Sequence, residues 1–208
     1  MQALVLVDLQ NDFLPGGALA VPGGDAVVPL AGDLMKRFPL VAATQDWHPK
    51  GHGSFAVNHP GKKPGDIILL DGLEQILWPV HCVQETPGAA LSAALDASRI
   101  DQVFQKGTDP SVDGYSGFFD NARRRATGLA DFLKQKGATQ VYIMGLATDY
   151  CVKFTALDAQ QLGFQTHLIK DACRGVNLQP GDTAQAIAHM QAKGVHVIDS
   201  SDVPASQG

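Results

Sequence analysis

Two hydrophobic rhythms alternate along the chain. "ALVLVDL" (Ala3 to Leu9) is a short, continuously apolar run, the pattern of a strand covered on both faces. After a loop with two Pro-Gly-Gly steps, "DAVVPLAGDLMKRF" places Val27, Val28, Ala31, Leu34, Met35 and Phe38 at helical spacing. "LVAATQD" then reads as a strand, "GAALSAALDASR" as a helix and "QVFQKG" as a strand. In the second half, "NARRRATGLADFLKQKGA" predicts a helix stopped by Gly137, and "QVYIMGL" a strand. "TDYCVKFTALDAQQLG" predicts a helix with Thr148 at its N-cap and Gly163 at its end. "FQTHLIKDA", "PGDTAQAIAHMQAKG" and "VHVID" continue as strand, helix and strand.

This alternation predicts an α/β fold of three layers, α/β/α, around a mostly parallel, Rossmann-like sheet of six strands. The expected organisation is one domain over residues 1–208, with a frayed tail from about residue 200. Between the second strand and Thr86 lies a Gly-, Pro- and His-rich loop of roughly forty residues without sustained periodicity, and loops of that length tend to be functional.

Composition narrows the setting. The chain has 208 residues, 45% hydrophobic and 18% charged, enough to bury a substantial core. A net charge of -5 leaves no electrostatic footprint for nucleic acid or an anionic membrane. The basic run "NARRR" reads as a solvated helix face. No apolar stretch approaches a membrane span, and "MQALVLVDLQNDF" lacks the basic start of a secretory signal. The 3 cysteines have no close C-x-x-C spacing, which argues against a disulfide framework and for a cytoplasmic setting.

In an open parallel sheet, ligands bind beyond the carboxyl ends of the strands. Those ends carry Asp8, Asp46 with His48, Lys106, and the turn holding Thr148, Asp149 and Cys151. Near a helix start, free backbone N–H groups favour a thiolate at Cys151, and Lys106 is expected to lower its pKa further. Asp8 is positioned to exchange the thiol proton, and the same turn offers N–H donors to an oxyanion. Position alone leaves open that Cys151 is a small buried hydrophobe; Cys173 reads as inert, and Cys82, beside His81, is undecided. "QDWHPKGHGSF" offers Asp46, His48 and His52, and "WPVHC" returns with His81. This mixed nitrogen and oxygen set suits a divalent ion such as zinc, iron or manganese. With 7 histidines in the chain, solvated loop histidines are the competing reading. "GHGSFA" matches a dinucleotide fingerprint only nominally, because no helix follows it.

In this order, "VDLQNDF", "TQDWHP", "WPVHCV", "QKGTD" and "GLATDYCV" resemble the isochorismatase-like cysteine hydrolases, and within them the branch acting on nicotinamide and pyrazinamide. The resemblance runs from Ala3 to about Gly175. It implies a catalytic triad of Asp8, Lys106 and Cys151, with backbone N–H groups of Ala147 and Cys151 as the oxyanion hole. It implies a cis peptide at Leu146–Ala147 and one divalent metal (Zn, Fe or Mn) on Asp46, His48 and His81. His52 would be a fourth ligand or would stand just outside the ligands. Phe13, Trp78 and Tyr115 would line the pocket, and Tyr150 adds nothing to the choice of substrate. The implied reaction converts nicotinamide to nicotinate and ammonia through a thioester, in NAD salvage. The resemblance leaves a homo-oligomer open. The nearest alternative substrate is an N-carbamoyl or ureido amide. Isochorismate fits less well, since vinyl-ether hydrolysis does not need the Asp/His/His set. A non-enzymatic binding domain would not require a nucleophile.

Overall fold

The computed structural model describes residues 1–204. In chain order the regular elements are β1 (Gln2–Val7), α1 (Val27–Leu34), β2 (Val41–Asp46), β3 (Ile67–Leu70), β4 (Leu73–Ile76), β5 (Gln102–Lys106), α2 (Leu129–Gln135), β6 (Gln140–Leu146), α3 (Lys153–Gln161), β7 (Gln165–Arg174), α4 (Asp182–Ala192) and β8 (His196–Ile198). Six strands form one sheet in the order β5-β2-β1-β6-β7-β8, with every neighbouring pair parallel. Ala3 to Val7 in β1 are almost wholly inaccessible, as the unbroken apolar run requires of a strand covered on both faces. α1 and α3 pack on β6 and β7, and α3 also packs on α4. No described helix is long and apolar enough to cross a membrane.

The strand order reverses between β1 and β6: the chain first builds outward through β2 and β5, then returns to β6 on the other side. Such a switch point opens a crevice at the carboxyl ends of the strands. Asp8 leaves β1 there and Cys151 follows β6, so topology alone brings these two residues to one place.

Several sequence expectations need correction. Residues 88–99 do not form a helix. Leu91 bridges to Gln10, Ser92 N–H donates to Leu9 O (2.8 Å), and only short 3-10 turns at Pro87–Ala89 and Ala97–Arg99 remain. Pairing with the loop after β1 outweighs helix propensity. The helix expected from Asn121 begins only at Leu129. Before it, Asp120 accepts N–H bonds from Arg124 and Arg125, and Arg123 adopts a left-handed φ of 56°. Arg123, Arg124 and Arg125 pair with Asp158, Asp71 and Asp109 respectively, so the run is neutralised. The long loop contains an antiparallel hairpin, β3–β4, turned by left-handed Asp71 and Gly72. The N-cap after β6 is Ala147 rather than Thr148, whose hydroxyl makes no hydrogen bond to the described residues. Residues 200–203 are not frayed: Ser200 bonds to both carboxylate oxygens of Asp171, and Val203 is buried. Residues 205–208 of the expected tail lie outside the described residues.

Candidate active site

Four strand ends bring reactive side chains into the crevice. β2 and β5 pair in register so that Asp46 sits beside Lys106. The ammonium of Lys106, with a side chain 1% exposed, lies 2.5 Å from Asp46 Oδ1, 2.8 Å from Asp8 Oδ2 and 3.3 Å from Cys151 Sγ. It also donates to Gly114 O at 3.0 Å. Reactive atoms of Asp8, Asp46 and Cys151 lie within 4.8 Å of one another. The structure therefore brings Asp8, Lys106 and Cys151 into one buried cluster. Cys151 itself lies in a wide π turn, Thr148–Val152, that precedes α3, and the Leu146–Ala147 peptide before it is cis.

Electrostatics at this cluster differ from the sequence expectation. Burial pushes the Cys151 thiol well above its ordinary pKa; Lys106 opposes this but is outweighed, because Asp8 and Asp46 add to it. Burial therefore works against a resting thiolate at this sulfur. Burial likewise raises Asp8, although Lys106 pulls it down. At Asp46 burial is overcome by Lys106 and His48, which hold the carboxyl well below the usual range. For Lys106 burial is overcome by Asp46 and Asp8, so it stays charged.

Beside Asp46 the histidines are oriented as ligands are. His48 Nδ1 is 2.8 Å from Gly107 O and His81 Nδ1 is 2.8 Å from Pro79 O. A carbonyl only accepts, so Nδ1 of each ring donates to it, and Nε2 is the atom each ring turns toward Asp46 for a ligand role. Those Nε2 atoms lie 3.5 Å and 3.7 Å from Asp46 Oδ2. His52 Nδ1 is held by Ser54, while its buried Nε2 has no partner among the described residues. Burial and the neighbouring His48 lower the His52 pKa to about 4, which keeps its ring neutral. Asp113 is buried alongside, within reach of His48 and His52. Three buried carboxyl groups, Asp8, Asp46 and Asp113, face one buried ammonium, Lys106, and a bound divalent cation would suit that imbalance. The donor set, the orientation of both Nε2 atoms and the buried negative charge fit a divalent metal on Asp46, His48 and His81.

A slot of about 30 Å3 reaches Cys151, lined by Phe13, Trp78, Tyr115, Ala147 and Tyr150 among others. Tyr115 and Tyr150 also wall a larger groove of about 540 Å3, which holds neither the thiol nor His48, His52 and His81; the chemistry belongs to the slot. The Tyr115 hydroxyl accepts from Trp78 Nε1 (3.1 Å) and Gln75 Nε2 (3.0 Å), so two of the expected aromatics are tied together. Phe13 packs on His81. Tyr150, set aside at the sequence level, packs edge-on against Trp78 and Tyr115 with ring centres 4.8 and 5.5 Å away.

Other contributors lie inside the motifs without being obvious there. Gln10 exchanges two hydrogen bonds with the backbone of Asp46, each 2.8 Å, fixing where β2 ends. Asp12 Oδ2 accepts from the Cys82 N–H at 2.7 Å and so anchors the residue next to His81. Asp149 accepts from the N–H groups of Val176 and Asn177, holding that loop beside the slot; its work is structural. Cys82 and Cys173 are buried, and burial pushes both thiols up.

Fold and site together place a buried cysteine, lysine and aspartate at the carboxyl edge of an open, all-parallel α/β sheet. The chain belongs to the isochorismatase family: the Isochorismatase domain matches residues 2–202. It is 52% identical over 211 residues to a nicotinamidase of Escherichia coli, spanning 100% of this chain and 99% of that one. Among solved structures it resembles the yeast nicotinamidase bound to the inhibitor nicotinaldehyde, at 34% identity and a TM-score of 0.91, covering 96% of this chain and 100% of that one. It also resembles the pyrazinamidase of Pyrococcus horikoshii in complex with zinc, at 38% identity and a TM-score of 0.78, covering 95% and 98%.

Proposed function

We infer that this chain hydrolyses nicotinamide to nicotinate and ammonia, and pyrazinamide to pyrazinoate, through a thioester on Cys151, returning the pyridine ring to NAD synthesis. The observation that carries this reading is the buried contact of Lys106 with Asp8, Asp46 and the Cys151 sulfur at the end of an aromatic slot. Relatives named for this activity and matched over the whole chain support it.

The ring is held by Phe13, Trp78 and Tyr115, with Tyr150 closing the side toward the groove. Burial disfavours a free thiolate at Cys151, so attack on the carboxamide carbon is coupled to transfer of the thiol proton to Asp8. The carbonyl oxygen becomes an oxyanion that accepts hydrogen bonds from the N–H groups of Ala147 and Cys151. Collapse breaks the carbon–nitrogen bond, and Asp8 returns the proton to the departing ammonia. Asp8 then removes a proton from water as it attacks the thioester, and the Cys151 thiolate leaves and is reprotonated as nicotinate departs. Lys106 stays charged throughout; it restrains both carboxylates and stabilises negative charge passing onto sulfur. Asp46, His48 and His81, with His52 adjoining, would hold one divalent metal, zinc, iron or manganese, supplying a Lewis acid toward the polar part of the substrate.

Nicotinaldehyde presents a carbonyl that a thiol can add to but carries no leaving group. It is expected to inhibit competitively with nicotinamide and to protect Cys151 from alkylation by iodoacetamide. Alkylation of Cys151 at an unchanged rate in its presence would contradict attack by this sulfur.

The ligand assignment has a test away from the ligands themselves. Gly107 has a φ of +63°, and a Cβ added there would stand 2.4 Å from His48 Cε1. Gly107→Ala is therefore expected to displace the His48 ring and lower the metal retained per chain after dialysis. Full stoichiometry, measured by atomic emission, would remove His48 from the ligand set.

A further inference from the structure

Asp8 has two carboxylate oxygens, and the reaction proposed above needs one of them to take and return a proton repeatedly. Thr44 touches this carboxylate from a position the reaction does not otherwise use. It lies on β2 two residues before Asp46, so the strand's alternation turns both side chains to the same face. Thr44 is wholly inaccessible, and its hydroxyl donates to Asp8 Oδ1 at 2.6 Å while accepting from the Asp8 N–H at 3.2 Å. Asp8 itself adopts a left-handed φ of 51°, so the hydroxyl braces backbone and side chain of a residue in an unfavourable conformation.

The hydroxyl cannot easily turn away. A Cβ placed on Gly117 would lie 2.6 Å from Thr44 Cγ2, so the methyl group fills the space that glycine leaves. With the methyl seated there, the threonine rotamer is set and the oxygen points to Asp8. A hydroxyl has a single proton. With that proton directed to Oδ1, this oxygen is kept as the acceptor, and Oδ2, 2.8 Å from Lys106 Nζ, is left for the exchange.

We propose that Thr44 is a positioning residue: it selects Oδ2 of Asp8 as the oxygen that takes the thiol proton, and the Gly117 contact keeps the Thr44 hydroxyl aimed. The inference rests on the proposed reading of the site and deepens it. It concerns proton transfer and not substrate or metal binding, so its signature is a selective loss in kcat.

Thr44→Val keeps the shape and removes the hydroxyl. It is expected to lower kcat for nicotinamide about 10²-fold, the scale of loss when a reacting group is misplaced, with KM and metal content close to wild type. Thr44→Ser restores the hydroxyl without the methyl that aims it and is expected to recover only part of the lost kcat. Gly117→Ala pushes on the methyl and is expected to reproduce the selective kcat loss with Thr44 intact. If Thr44→Val does not fold, the Ser and Ala variants still decide. Wild-type kcat in a folded Thr44→Val, or in Gly117→Ala, overturns the inference. So does a fall in kcat matched by a rise in KM or loss of metal, which marks a general structural role. Wild-type protein that releases no ammonia from nicotinamide overturns the underlying reading instead, which separates the two failures.

Discussion

Cys151→Ala is expected to reduce turnover of nicotinamide by about four orders of magnitude or more, the scale seen when a covalent nucleophile is removed. No neighbour can replace the sulfur. The groups beside it are Lys106, held by two carboxylates, and Asp8, committed to proton transfer. Cys82 and Cys173 are buried elsewhere, and the slot lining includes neither. The fold is expected to be preserved, because alanine fits where the thiol did and no hydrogen-bond ladder depends on it. Metal content is expected to be unchanged, since the Asp46, His48 and His81 donors remain oriented by their own backbone contacts. Ammonia release and metal stoichiometry measured on one preparation separate the two roles. Substantial activity in the variant would exclude the covalent route.

Lys106→Met is expected to have the largest effect on stability. The lysine is buried against Asp8 and Asp46, and the methionine chain is similar in volume but neutral. Losing one partner of a buried ion pair costs about 3–5 kcal/mol, mostly because the remaining charge is left unpaired. Here two carboxylates lose the same partner. Solvent screening offers little relief, since these side chains are at most 7% exposed. The expected result is a large drop in the urea midpoint together with loss of turnover. An unfolding free energy within about 1 kcal/mol of wild type, the value typical of an exposed pair, would show that Lys106 is not the charge that holds this cluster.

Much of the site was legible in the chain because a parallel sheet collects its strand ends. The continuous apolar runs of β1, β2 and β6 located Asp8, Asp46 and Cys151 once the alternation with helices implied parallel pairing. The segment after Pro87 misled because its alanine-rich composition favours a helix, whereas its backbone is taken by Leu9 and Gln10. The β3–β4 hairpin did carry a signal, an Asp71–Gly72 step between apolar residues, that was lost within a loop of many glycines and prolines. Thr44 and Gln10 look like ordinary strand and turn residues; only their distances to Asp8 and Asp46 show what they hold. Tyr150 was missed for the same reason, since its contacts with Trp78 and Tyr115 join segments far apart in sequence. The protonation of Cys151 depends on burial and on the sum of buried charges. Local reasoning about a helix start and one lysine pointed the other way.

The central claim is the substrate, and it is tested most directly by ammonia release from the metal-loaded protein given nicotinamide, in parallel with an N-carbamoyl amino acid. The predicted result is ammonia and nicotinate in equal amounts from nicotinamide, suppressed by a chelator and restored by adding back zinc, iron or manganese. Turnover of the carbamoyl compound with none of nicotinamide would contradict it.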